Sequence, residues 1–103
     1  ALVVKAEKGL TVITGCSHPG IVTIIDRANK MFPKEVVSAV LGGFHLANKN
    51  TKTIESIVNK LQDMGVKIAG PCHCTGEAAQ GIFKRGFGEN FLSLKAGSTV
   101  TGL

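Results

Sequence analysis

The chain has 103 residues, 44% hydrophobic and 18% charged, with 12 Lys and Arg against 7 Asp and Glu for a formal charge of +5. That length holds one small domain over residues 1–103, and a composition without low-complexity tracts excludes a disordered, collagenous or coiled-coil chain. No apolar run approaches the roughly 20 residues of a membrane helix, and the opening Ala-Leu-Val-Val-Lys lacks the basic region and apolar core of a secretory signal, so a soluble cytoplasmic protein without a membrane partner is expected.

Leu2 to Ala6 and Leu10 to Thr14 are short β-branched runs on either side of Glu7-Lys8-Gly9, a spacing that predicts an antiparallel hairpin with Gly9 in its turn. From Ser17 the period changes. Ile21, Ile24, Ile25 and Ala28 share a helical face that Phe32 extends, with Ser17 as N-cap, Pro19 in the first turn and a stop before Pro33. Val36 to Leu41 reads as a buried strand ended by Gly42-Gly43. Ile54, Ile57, Val58, Leu61 and Met64 then recur at helical spacing, with Gly65 just past the end. Val66 to Gly70 reads as a further strand. Ala78, Ala79, Ile82 and Phe83 mark a third helix ending near Gly86-Phe87-Gly88, and Phe91 to Lys95 with Thr99 to Thr101 makes a closing strand or hairpin. The order ββαβαβαβ is an α/β fold. Its helical crossovers require a parallel arrangement after the opening hairpin, giving a mixed sheet with three helices on one face.

The positive charge does not point to nucleic acid. The lysines are scattered singly, Lys84-Arg85 is the one adjacent basic pair, and no aromatic residues are interleaved with them as a stacking platform. Of the 3 cysteines, two flank one histidine in Cys72-His73-Cys74, too close for an ordinary disulfide framework. Metal or thiol chemistry in a reducing compartment is the better fit.

The placement of these residues carries the functional reading. All 3 histidines and all 3 cysteines fall just after a strand and just before a helix, in Gly15-Cys16-Ser17-His18-Pro19-Gly20, Gly42-Gly43-Phe44-His45-Leu46 and Pro71-Cys72-His73-Cys74-Thr75-Gly76. Parallel strands with right-handed crossovers put such junctions on one carboxyl edge, where α/β proteins bind ligands. Imidazoles converging there suit zinc, and also iron or manganese, because a catalytic metal takes about three protein ligands and keeps a position for water. A cysteine nucleophile paired with a histidine is the competing chemistry, Cys16 with His18 or Cys74 beside His73. An iron–sulfur cluster normally needs four thiolates and the chain has 3 cysteines. Glu77 sits where a negative charge suits the start of the third helix, while Asp26, Glu55 and Asp63 fall on polar helical faces.

The three segments, in that order, resemble the C-terminal half of metallo-β-lactamase superfamily proteins, in the branch of metal-dependent hydrolases related to the dihydropterin ribofuranosyl-aminobenzene phosphate synthases. The resemblance implies half of an αββα sandwich with one or two metal ions at the shared edge of its sheets. It implies that His18 and His73 are metal ligands and that His45 is a ligand or a substrate contact. Cys16, Ser17, Cys72, Cys74, Thr75 and Glu77 are then expected behind the ligands or against the substrate. The superfamily signature His-x-His-x-Asp-His is absent from these 103 residues. The expectation is therefore the C-terminal portion of a metal-dependent hydrolase-like enzyme that uses metal-activated water on an ester, phosphoester or related small molecule. The chain by itself is expected to be inactive and to lack the metal. It starts on Ala1 inside a strand-like run, so its first layer is expected in an N-terminal half, or in a homodimer partner covering the bare sheet. The alternatives are a non-catalytic interaction module of the same fold and a small thiolate metal or iron–sulfur protein built on Cys16, Cys72 and Cys74.

Overall fold

In a computed structural model of the chain, residues 1–15, 17, 20–46, 49–72, 75–94 and 103 are described. Strands β1 (Leu2–Ala6) and β2 (Gly9–Thr14) form the expected antiparallel hairpin, with Leu2 opposite Ile13 and Ala6 opposite Gly9. Gly9 has φ 135°, and a Cβ there would lie 2.5 Å from the Val36 carbonyl oxygen. Glycine thus lets β2 close onto the next strand, where the Leu10 N–H donates to that carbonyl at 2.8 Å.

Helix α1 (Ile21–Met31), strand β3 (Val37–Gly43), helix α2 (Thr51–Asp63), strand β4 (Ile68–Cys72) and helix α3 (Glu77–Phe87) follow, and a 3-10 turn spans Gly88–Asn90. The sheet runs β1-β2-β3-β4, with β2, β3 and β4 parallel to one another. Val12, Val40 and Ala69 stand in one row across the parallel strands. They join Ile21, Ile25 and Ala28 of α1, Ile54, Val58 and Leu61 of α2, and Ala79, Ile82 and Phe83 of α3 in a single buried cluster, so the three helices cover that face. The architecture is the α/β half-sandwich with a mixed sheet that the element order implies.

The opposite face is treated unevenly. Leu94 lies over β4, since a Cβ on Gly70 would stand 2.8 Å from both Leu94 Cδ1 and Leu41 Cδ2. At the hairpin end, by contrast, Leu2, Val4 and Ile13 are 58%, 41% and 40% exposed.

Several boundaries differ from the sequence reading. Strand β4 runs Ile68–Cys72 and not Val66 to Gly70, because the Val66 N–H closes the end of α2 on the Leu61 carbonyl (3.0 Å) and the ladder to β3 begins with the Lys67 N–H on Ser38 (2.8 Å). Pro71 is tolerated there because β4 lies at the end of the sheet order. Among the described residues the closing strand forms one parallel bridge, Ala69 to Phe91, with the Leu92 N–H on the Ala69 carbonyl at 2.8 Å. Lys95 and Thr99 to Thr101 lie outside the described residues. Ser17 does not cap α1: the N-cap position is Gly20, with φ 98° and no side-chain cap. Asp26 pairs with Lys30 one turn along α1 at 3.1 Å, both largely in solvent.

Helix α2 carries a cap that apolar periodicity does not reveal. Asn50 Oδ1 accepts from the Thr53 N–H at 2.8 Å, satisfying one of the donors a helix start leaves without a partner. Replacing Asn50 by alanine is expected to lower stability by about 1 kcal/mol, read from the urea midpoint at unchanged slope. Among the described residues no helix is long and apolar enough to cross a membrane.

Candidate functional site

Because β2, β3 and β4 run parallel, their carboxyl ends share one edge, with Thr14 level with Gly42 and Gly43 level with Cys72. The segments holding His18, His45 and His73 all leave the sheet from that edge. His18, Cys16, His73 and Cys74 lie outside the described residues; Ser17, Cys72 and Thr75, which adjoin them in the chain, lie within. His45 is exposed and stands two residues beyond β3 in the left-handed region, φ 54°. Ser17 has the same φ of 54° although it is buried. Left-handed backbone at two non-glycine residues is uncommon and persists only where surrounding bonds hold it.

Those bonds converge on the end of β3. The Gly43 N–H donates to the Gly15 carbonyl at 2.8 Å, extending the β2–β3 ladder one step past Thr14. Ser17 Oγ donates to the Gly43 carbonyl at 2.5 Å and lies 2.9 Å from Thr14 Oγ1, which is itself 3.2 Å from the same carbonyl. On the other side, Thr75 Oγ1 accepts from the Phe44 N–H at 2.9 Å and donates to the Cys72 carbonyl at 2.9 Å. Thr75 is fully buried, so its proton and one lone pair go to internal partners and none of it meets solvent. Ser17 and Thr75, expected either behind the ligands or against the substrate, both bond backbone at the strand ends. Glu77 stands exposed in the first turn of α3 behind the N-cap Gly76, in the place that favours a carboxylate beside the helix start.

Thr14 and the Gly43–Phe44 peptide are the parts of this edge that sequence reasoning missed. Thr14 shares the Val12 face of β2, and a hydroxyl on a core-facing strand position needs a partner. That requirement is a signal available in the sequence, although the partner itself is not.

Among the described residues no three His, Cys, Asp or Glu side chains stand close enough to hold a metal ion. His45 and Cys72 are the described members of the expected donor set at this edge. The donor chemistry nonetheless fits a borderline divalent metal. Ser17 and Cys72, the chain neighbours of His18 and His73, are tied by hydrogen bonds to the end of β3, Ser17 directly and Cys72 through Thr75, and imidazoles in such positions suit such a metal. The clefts between the helices, such as the one of about 540 Å³ lined by Thr23, Lys52, Ser56 and Lys60, carry none of these residues.

No family model matches the chain. It is 40% identical over 99 residues to the 7,8-dihydropterin-6-methyl-4-(β-D-ribofuranosyl)-aminobenzene-5′-phosphate synthase of Methanocaldococcus jannaschii, which aligns with 96% of the chain and 34% of that protein. An uncharacterized protein of the same organism is 39% identical over 71 residues, 67% of the chain and 25% of its own length. The crystal structure of a metal-dependent hydrolase of the β-lactamase superfamily superposes with a TM-score of 0.89 at 43% identity, covering 97% of the chain and 39% of that structure. The chain thus spans about a third of the length of the synthase it matches.

Proposed function

From a chain that is related to the metallo-β-lactamase superfamily and shares its fold, we propose that residues 1–103 are the C-terminal part of a cytoplasmic metal-dependent enzyme. It contributes one half of a metal site and acts on an ester, phosphoester or related small molecule. The observation that supports this reading is the convergence of Ser17, Gly43, Phe44 and Thr75, which lie within two residues of the histidines in the chain, at the carboxyl ends of β2, β3 and β4.

In this reading His18 and His73 hold a divalent metal, zinc, iron or manganese, and His45 is a further ligand or faces the substrate. Such a metal supplies Lewis acidity and a water acidic enough to ionise near neutral pH. The remaining work belongs to the chain. Ser17 and Thr75 bond the backbone at the end of β3, Cys16, Cys72 and Cys74 are proposed to act behind the ligands or against the substrate, and Glu77 stands in the first turn of α3. Two relatives support the class of chemistry, a hydrolase described as metal-dependent and a synthase whose name carries a 5′-phosphate. A phosphate-bearing small molecule is accordingly the proposed substrate class.

The missing ligands and the missing layer belong together. Without His-x-His-x-Asp-His the chain offers at most 3 histidines. The exposed Leu2, Val4 and Ile13 leave an apolar sheet face that a second layer would cover. An N-terminal half of the same protein provides both. A homodimer would cover the face without providing the signature.

Metal analysis of the chain and of the protein extended at its N-terminus tests this reading. The extended protein is expected to carry at least one equivalent of zinc, iron or manganese. His18→Ala and His73→Ala are each expected to reduce that content by more than half, with far-ultraviolet circular dichroism unchanged. An extended protein that binds none of these metals, or whose metal content is indifferent to both substitutions, sinks the proposal.

A further inference from the structure

The Gly43 carbonyl and the Phe44 N–H belong to one peptide unit, and each is taken by a buried hydroxyl from a different loop. Ser17 Oγ holds the carbonyl and Thr75 Oγ1 holds the N–H. We infer that this single amide plane, clamped between Ser17 and Thr75, is the positioning element that fixes the three histidine segments relative to one another. The inference rests on the metal-site reading above and names the residues that set its geometry.

The chain connectivity makes the clamp consequential. Ser17 precedes His18 directly. Thr75 follows the His73-Cys74 pair in the chain, and its hydroxyl donates to the carbonyl of Cys72, the residue before that pair. His45 comes directly after Phe44, so rotating the clamped plane would swing its backbone as well. The plane is guarded against rotation. Thr14 Oγ1 and the Gly15 carbonyl hold Gly43 from the β2 side, and the Phe44 ring is fully buried with its centroid 5.3 Å from that of Phe83. Both hydroxyls are at least nine-tenths buried, Ser17 at 6% and Thr75 at 0% exposure. Water therefore offers little substitute for either bond: losing Thr75 Oγ1 takes away the acceptor of the buried Phe44 N–H, and losing Ser17 Oγ leaves the Gly43 carbonyl with the longer bond from Thr14 Oγ1 at 3.2 Å.

The chemistry of the two residues explains their type. Thr75 must accept from an amide and donate to a carbonyl at once, which a hydroxyl does and a methyl cannot. Ser17 must reach a carbonyl from a left-handed backbone, φ 54°, where a β-branched side chain would be strained. Outer groups that orient metal ligands commonly change metal affinity by about 10–100-fold when removed, without touching the metal.

The test uses the N-terminally extended holoenzyme with Thr75→Val, Thr75→Ser and Ser17→Ala. Zinc affinity is measured by chelator competition, and exchange of the Phe44 amide hydrogen is measured in the metal-free protein. Thr75→Val is expected to weaken zinc binding by at least about tenfold and to speed Phe44 exchange by at least about tenfold, with Thr75→Ser within about threefold of the parent in both. Ser17→Ala is expected to weaken zinc binding similarly while leaving the Phe44 amide protected, since its bond is to the carbonyl. Unchanged affinity in both Thr75→Val and Ser17→Ala would overturn the inference, as would Thr75→Ser failing together with Thr75→Val. Should Thr75→Val not fold, Ser17→Ala against the parent decides. If the parent itself binds no zinc, iron or manganese, the metal-site reading fails and Phe44 exchange alone decides the clamp: acceleration confined to Thr75→Val upholds it and unchanged exchange overturns it.

Discussion

Replacing Gly42 by alanine is expected to destabilise the protein by at least about 3 kcal/mol and, on the proposed metal-site reading, to abolish metal uptake by the N-terminally extended protein, because two independent penalties fall on one atom. Gly42 sits at φ 126°, a conformation open to glycine and strained for any residue with a Cβ. A Cβ there would also collide with the carbonyl of Thr14 and stand 2.7 Å from Thr14 Oγ1. The neighbour is backbone of a central strand and cannot turn aside as the tip of a flexible side chain could. Relief requires β2 and β3 to part at their carboxyl ends, where Gly15 and Ser17 are each bonded to Gly43. Gly81→Ala is the matched control. That glycine lies within α3 with nothing within 4 Å of the added Cβ, and alanine is expected to stabilise the protein by up to about 1 kcal/mol. Urea unfolding of the two variants separates the cases, and equal midpoints would remove steric closeness at Gly42 from the account.

What could be read in advance divides along the range of the interactions. Helix α2 is legible because Ile54, Val58 and Leu61 recur at a spacing that only a helix places on one face, and these three are the ones buried. The hairpin is legible because Gly9 follows two polar residues between short β-branched runs. The histidine junctions are legible because strand, glycine and imidazole follow one another in three places, and a parallel sheet leaves them one edge to share. Ser17 shows where local reasoning stops. A serine a few residues before an apolar helical face has the form of an N-cap, yet its hydroxyl finds Gly43, 26 residues away. Thr75 meets Phe44 across 31 residues, and no local periodicity encodes that pairing. The start of β4 was displaced for a related reason. Val66 has strand propensity, but the Leu61 carbonyl at the end of α2 takes its N–H first, and tertiary bonding outweighs intrinsic preference.

Phe83→Ala is expected to cost about 3–5 kcal/mol, a large share of the roughly 5–15 kcal/mol by which domains of this kind are stable. Phe83 is fully buried, and its ring lies 5.3 Å from that of Phe44 and 5.9 Å from that of Phe87. Around it α2 and α3 are in close approach: a Cβ on Gly86 would stand 2.5 Å from Val58 Cγ1, so the helices cannot move inward to fill the space. A cavity that cannot collapse is the costlier kind, which puts the expected value toward the upper end of the range. The position of Phe44 gives the loss a functional reach. Its ring leans on Phe83 while its N–H is held by Thr75, so removing the ring support loosens the amide plane from the core side. Phe83→Leu, which refills part of the volume, is expected to recover at least half of the lost stability and, on the proposed metal-site reading, most of the metal affinity of the extended protein. Denaturation midpoints and chelator competition on the same samples check both statements. A loss below about 1.5 kcal/mol for Phe83→Ala would mean that the helix layer repacks freely, contrary to the close α2–α3 contact on which the expected value depends.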